Sequence, residues 1–99
     1  MYARITPYKM KPGSKQAAVK IMEGLKSRIK ELPGQHHFIN VMNDADGSGY
    51  IVSLTDMADV TPEMAEKIKG LWGQFSDYLE EMPSPSSFEV VANWQTADT

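Results

Sequence analysis

"HHFINVMNDADGSGYIVSLT", residues 36–55, holds two β-rich runs around a turn. "HHFINVM" and "GYIVSLT" carry the β-branched and aromatic residues that suit a pleated, half-buried surface, whereas "NDADGSG" between them is dense in Asn, Asp and Gly, which accept left-handed backbone conformations. The pattern predicts an antiparallel hairpin. Its flanks then decide the fold.

Upstream, "YARITPYKMK" alternates as a strand, with Tyr2, Arg4, Thr6, Tyr8 and Met10 on one face and Ala3, Ile5, Pro7 and Lys9 on the other. Pro7 lacks a ladder donor and belongs at a bulge or at a point unpaired on one side. Pro12-Gly13 ends the strand, and Ser14 is placed to cap a helix. From Ser14 to Leu32, Ala18, Ile21, Met22, Leu25 and Ile29 recur at three- and four-residue steps, which predicts one amphipathic helix stopped by "LPG".

Downstream of the hairpin, Thr61-Pro62-Glu63 combines a capping hydroxyl, a proline at the first helical position and a carboxylate near the positive end of the dipole. Met64, Ile68, Trp72, Phe75, Leu79 and Met82 trace the stripe of a second helix. Gly70 and Gly73 interrupt it at a cost of about 2 kcal/mol together relative to alanine, which predicts that something needs their space. "MPSPSS" breaks the chain again, "FEVVANW" (88–94) reads as a fourth strand, and the polar tail 95–99 is expected to fray.

The order β-α-β-β-α-β predicts an α+β, ferredoxin-like domain over residues 1–94, both helices lying on one face of a four-stranded antiparallel sheet. At 99 residues a second domain is not expected, and 41% hydrophobic with 23% charged residues is an ordinary globular composition. With no cysteine in the chain, disulfides, thiolate metal sites and cysteine nucleophiles are excluded. No apolar run approaches the roughly 20 residues of a membrane span, and "MYARITPYKMKPG" lacks an apolar signal core. A cytoplasmic protein that binds no membrane is the expectation. Eight of the ten basic residues fall within residues 1–32, leaving the remainder strongly acidic. This split either guides the pairing of two chains or colours two solvated helices.

The sheet face away from the helices should be polar in a monomer. Instead every strand offers apolar side chains to both faces, and a surface presenting Ile39, Val41, Ile51 and Val91 would be an interaction patch. A symmetric homodimer, sheet against sheet, is expected.

"YKMKPG", a basic helix, "LPGQHHF", the "DGSGYIVSL" strand, an apolar second helix and the closing "FEVVANW" together resemble the antibiotic biosynthesis monooxygenase family of dimeric α/β-barrel proteins, over residues 2–94. The resemblance implies two sheets closing into a barrel and an apolar pocket between helices and sheet in each protomer. It implies a pocket-side placement for His36, Phe38 and Asn40, with His37 toward the partner sheet. Many members end the third strand in "E-x-W" and carry a histidine early in the second helix, where this chain has "SLTD" and "PEMAEK". Haem-degrading relatives use an asparagine on the first strand and a histidine near the second helix. This chain has neither, so haem degradation is not expected.

Six residues are candidates for a site. Neighbours on a strand point to opposite faces, so His36 and His37 do not share a metal unless the strand is broken there, and no metal or cofactor is expected. His36 is either a strand-end histidine bonded to a loop carbonyl or a base, and Asn40 is a mid-strand amide that must find a partner, whether side chain, water or ligand. Both are the catalytic candidates. Trp72 and Phe75 are core aromatics or the wall of a cleft opened by the glycines, and Phe38 and Tyr8 complete the substrate-binding candidates. Three functions compete: a small-molecule enzyme, specifically a cofactor-independent monooxygenase acting on an electron-rich or aromatic substrate; a non-catalytic ligand-binding or accessory protein; and an RNA-recognition module, disfavoured by the acidic balance and by Val52 and Leu54 where stacking aromatics would be needed.

Overall fold

A computed structural model describes residues 1–97; the last two residues of the tail expected at 95–99 lie outside the described residues. Seven elements follow one another: β1 (Tyr2–Lys9), α1 (Lys15–Gly24), α2 (Lys26–Lys30), β2 (Gln35–Met42), β3 (Ser48–Thr55), α3 (Pro62–Gly73) and β4 (Ser86–Glu89). The sheet runs β2-β3-β1-β4, antiparallel at every step, as the ferredoxin-like arrangement requires. The hairpin turn closes as its composition predicts. Gly47 takes φ +79°, the Asn43 side chain accepts from the Ala45 N–H, and Asp46 accepts from both the backbone and the hydroxyl of Ser48. Those two bonds hold the Asp46 carboxyl below its ordinary range.

Pro7 pairs with Tyr50 on one side. On the other it falls in the gap between β4, which reaches only to Ile5, and a bridge from Met10 to Leu79. No ladder bond is lost there.

The expected single helix over 14–32 is broken at Leu25 into α1 and α2, directly after Gly24, where helix propensity is weakest. Ser14 stands at the N-cap position but its hydroxyl makes no cap bond; Asp44, from the hairpin turn, accepts the Lys15 N–H at 3.0 Å instead. Thr61 does cap α3, its hydroxyl accepting the Met64 N–H ahead of Pro62. The stripe expected to run to Met82 leaves the α-helix at Gly73, and tighter three-residue turns carry Phe75 inward before residues 78–80 bond back to β1. Space for a side chain is not what Gly70 and Gly73 provide: a Cβ at either would meet nothing.

The fourth strand begins two residues earlier than "FEVVANW" suggests and ends at Glu89. Val91, 91% exposed, therefore lies beyond the sheet rather than on its open face. Ile51 also departs from expectation, because its register partners Thr6 and Asn40 put it on the helix-covered face. The open face is carried instead by the rows Ile39–Val52–Ile5 and Val41–Tyr50–Pro7, flanked by Leu54, Ala3 and Phe88. Ile39, Val41, Tyr50 and Phe88 are all exposed there. On the covered face Tyr8, Met10, Ala18, Leu25, Ile29, Trp72 and Phe75 form the core.

Candidate functional site

The helices do not close down fully on the sheet. Between them is a cavity of about 70 Å³ bounded by Phe38 and Ile51 of the sheet, Leu25 and Ile29 of the α1–α2 region, and Trp72 and Phe75 of the α3 end. Its floor is more polar than its walls: Arg4 and Thr6 come from β1, Ser53 from β3 and Asn40 from β2. Arg4 pairs in register with Ser53, and Ile51 bridges Thr6 and Asn40. A second, wider cleft of about 490 Å³ shares Met22, Ile29, Gln35 and Phe38 with the first and carries Lys26, Lys30, His36 and His37 at the surface.

Trp72 is both a core residue and part of the cavity wall. Its ring lies 5.5 Å from Tyr8 at 50° and 5.9 Å from Phe75 at 58°, the tilted geometry that aromatic quadrupoles favour. Tyr8 stands behind the wall. Its hydroxyl donates to Asn40 Oδ1 at 2.7 Å and lies 3.2 Å from the Val41 carbonyl, so a single proton serves chiefly the amide. Burial pushes the Tyr8 phenol above its ordinary range. This placement requires a glycine at position 49, since a Cβ there would run into the Tyr8 ring and the Val41 carbonyl. Asn40, itself exposed, also donates one N–H of Nδ2 to the Met22 sulfur at 3.2 Å. Of the partners open to this amide, the side chains of Tyr8 and Met22 are the ones it has.

His36 stands apart from this group. The β2 ladder slips between Gln35, opposite Thr55, and His37, opposite Leu54, so His36 is the extra residue of a bulge. The slip turns Gln35 toward the cavity and sends His36 to the outer cleft, where Nε2 lies 2.7 Å from Asp56 Oδ1. Its partner is thus a carboxylate rather than a loop carbonyl. At 49% and 65% side-chain exposure the pair is a surface contact of small energetic weight. The two catalytic candidates, His36 and Asn40, are therefore on different parts of the site, whereas Asn40, Phe38, Trp72 and Phe75 share one cavity with Tyr8 bonded behind it.

Arg4 is the cavity residue that sequence reasoning passed over. It is only 6% exposed, and among the described residues it has no ion pair. Burial lowers its pKa from the ordinary value, yet a guanidinium remains charged in any protein setting. The signal was present in the alternation, which puts Arg4 on the face of Tyr8 and Met10. Among the described residues it is the one titratable side chain lining the inner cavity. An aromatic-walled hollow with two amides, two hydroxyls and one fixed cation can orient a flat organic molecule and stabilise negative charge on it.

No family model and no curated protein matches the chain. Solved structures do. A protein from Bordetella bronchiseptica assigned as an antibiotic biosynthesis monooxygenase superposes with a TM-score of 0.74 at 10% identity, over 92% of this chain and 97% of that one. Another with the same assignment, from Nitrosomonas europaea, gives 0.65 at 14% identity over 93% and 100%. An L-rhamnose mutarotase from Formosa agariphila gives 0.60 at 17% identity over 94% and 98%. Likeness at such identities speaks for architecture and is shared by proteins of unlike activity. The chain has the ferredoxin-like fold found in structures of antibiotic biosynthesis monooxygenases.

Proposed function

We propose that this protein binds a small, electron-rich aromatic molecule in the cavity between helices and sheet and oxygenates it without a cofactor, as a cytoplasmic homodimer joined through the open sheet faces. The observation that carries the reading is the cavity itself, walled by Trp72, Phe75 and Phe38 with Asn40 at its floor. Chemistry of this kind asks little of the protein. A substrate that is already an anion reduces dioxygen itself; one oxygen atom enters the substrate as a carbonyl, the other leaves as water with two substrate hydrogens, and all the electrons come from the substrate. The cavity contributes by excluding bulk water and by holding the anion, with Trp72 and Phe75 packing on its rings and the Asn40 amide and the floor donors facing its oxygens.

Oxygen uptake with a panel of hydroquinones tests this directly. Turnover that falls by about tenfold or more in Asn40→Ala supports the enzyme; absence of uptake across the panel, with aromatic binding retained, supports a ligand carrier of the same fold. One feature favours that second reading: among the described residues the inner cavity is lined by no general base, since His36 is outside it and paired with Asp56.

A further inference from the structure

Arg4 is only 6% exposed and, among the described residues, makes no ion pair. Its neighbours on the covered face are Thr6 along β1, Ser53 and Ser87 opposite it on the flanking strands, and, diagonally, Glu89, which makes no ion pair with it. The one ion pair among the described residues, His36–Asp56, lies at the outer cleft. Asp59 shares a second cleft with Arg4, on the side of Ser86 and Ser87, but makes no ion pair with it. A largely buried cation without a counter-charge is costly, and a guanidinium cannot reduce the cost by giving up its proton. Such a group persists where its partner arrives from outside.

Resting on the reading that the cavity takes a small molecule, we propose that Arg4 is the anchor of an anion-binding subsite, and that the ligand is an aromatic compound bearing one carboxylate held by the Arg4 guanidinium with Thr6 and Ser53. The guanidinium fork matches two carboxylate oxygens at once, and hydroxyls can donate to the remaining lone pairs. The walls fix the rest of the ligand: Trp72, Phe75, Phe38 and Ile51 offer apolar surface and no further charge.

The test uses a matched pair, benzoate and benzamide, which share shape and differ by the charge. Both are titrated into the isotopically labelled protein and followed by the backbone amides of Phe38 and Ile51 and the indole N–H of Trp72. Benzoate should bind about tenfold or more tightly than benzamide in the wild-type protein, a ratio that needs no variant to measure. In Arg4→Met the ratio should fall to about one; Arg4→Lys, which keeps the charge and loses the fork, should lie between. Equal binding of the two compounds by the wild-type protein would overturn the anion subsite while leaving the aromatic cavity intact. Shifts confined to Asp59, Ser86 and Ser87 would overturn it too, by putting the anion on the other side of Arg4. If neither compound moves the cavity resonances, the subsite and the binding reading both fail.

Discussion

Each face of this sheet carries, beside its other residues, several that an isolated chain would place on the opposite face. The face buried under the helices carries Arg4, Thr6, Ser53 and Thr55, the last with no exposed surface at all, while the face open to water carries Ile39, Val41, Tyr50 and Phe88. A monomer that folded only to hide apolar surface would have them the other way round. On the proposed reading neither face is finished by one chain. The wet apolar face calls for a second apolar face, and the dry polar one for a polar guest.

A charge on the open face should produce the largest effect. Ile39→Asp lies on an edge strand with its side chain exposed, so the chain should still fold, but a symmetric contact would meet the carboxylate twice. We expect the dimer to weaken by about 100-fold or more, read by sedimentation across a dilution series. Retention of wild-type association would separate Ile39 from any interface.

On the covered face Gly49→Ala should be the costly change. The new methyl displaces the Tyr8 ring and with it the bond to Asn40, for a loss of about 2–3 kcal/mol in denaturant unfolding. An unchanged midpoint would mean that Tyr8 is not held where the geometry puts it. Gly70→Ala is the contrasting case, since it faces neither sheet nor cavity and a Cβ there meets nothing. It should stabilise the protein by about 1 kcal/mol. A destabilising result would show that the outer face of α3 touches something.

The smallest effect concerns the turn that sets the register of both faces. Asp46 is held below the ordinary carboxylate range by Ser48, so the folded carboxyl gives up its proton more readily than the unfolded one. Its contribution is complete above the unfolded pKa and is lost as pH falls through the lower folded value. Ser48→Ala should move the Asp46 titration, followed by its side-chain carbon shift, up toward the ordinary value; no movement would assign the depression to another cause.

The order of elements was legible because punctuation and period agreed: the Asn/Asp/Gly-rich turn, Thr61-Pro62, and the alternation along "YARITPYKMK" each point the same way. Register was not legible. Nothing local tells which face Ile51 takes; that follows from its pairing with Thr6 and Asn40 across three strands. The bulge at His36 was equally hidden, and it removed a catalytic candidate from the cavity while turning Gln35 in. Arg4 was legible in principle, since period two put it beside Tyr8, yet a lone arginine on a strand reads as solvated until the burial of its neighbours is known.

The claim on which the rest depends is that the open face is covered by its own copy. Sedimentation equilibrium of the wild-type protein, from millimolar to low-micromolar concentration, tests it most directly against a chain mass of 11.1 kDa. The exposed apolar face predicts the mass of two chains throughout that range. A single-chain mass that persists to the highest concentration would contradict it.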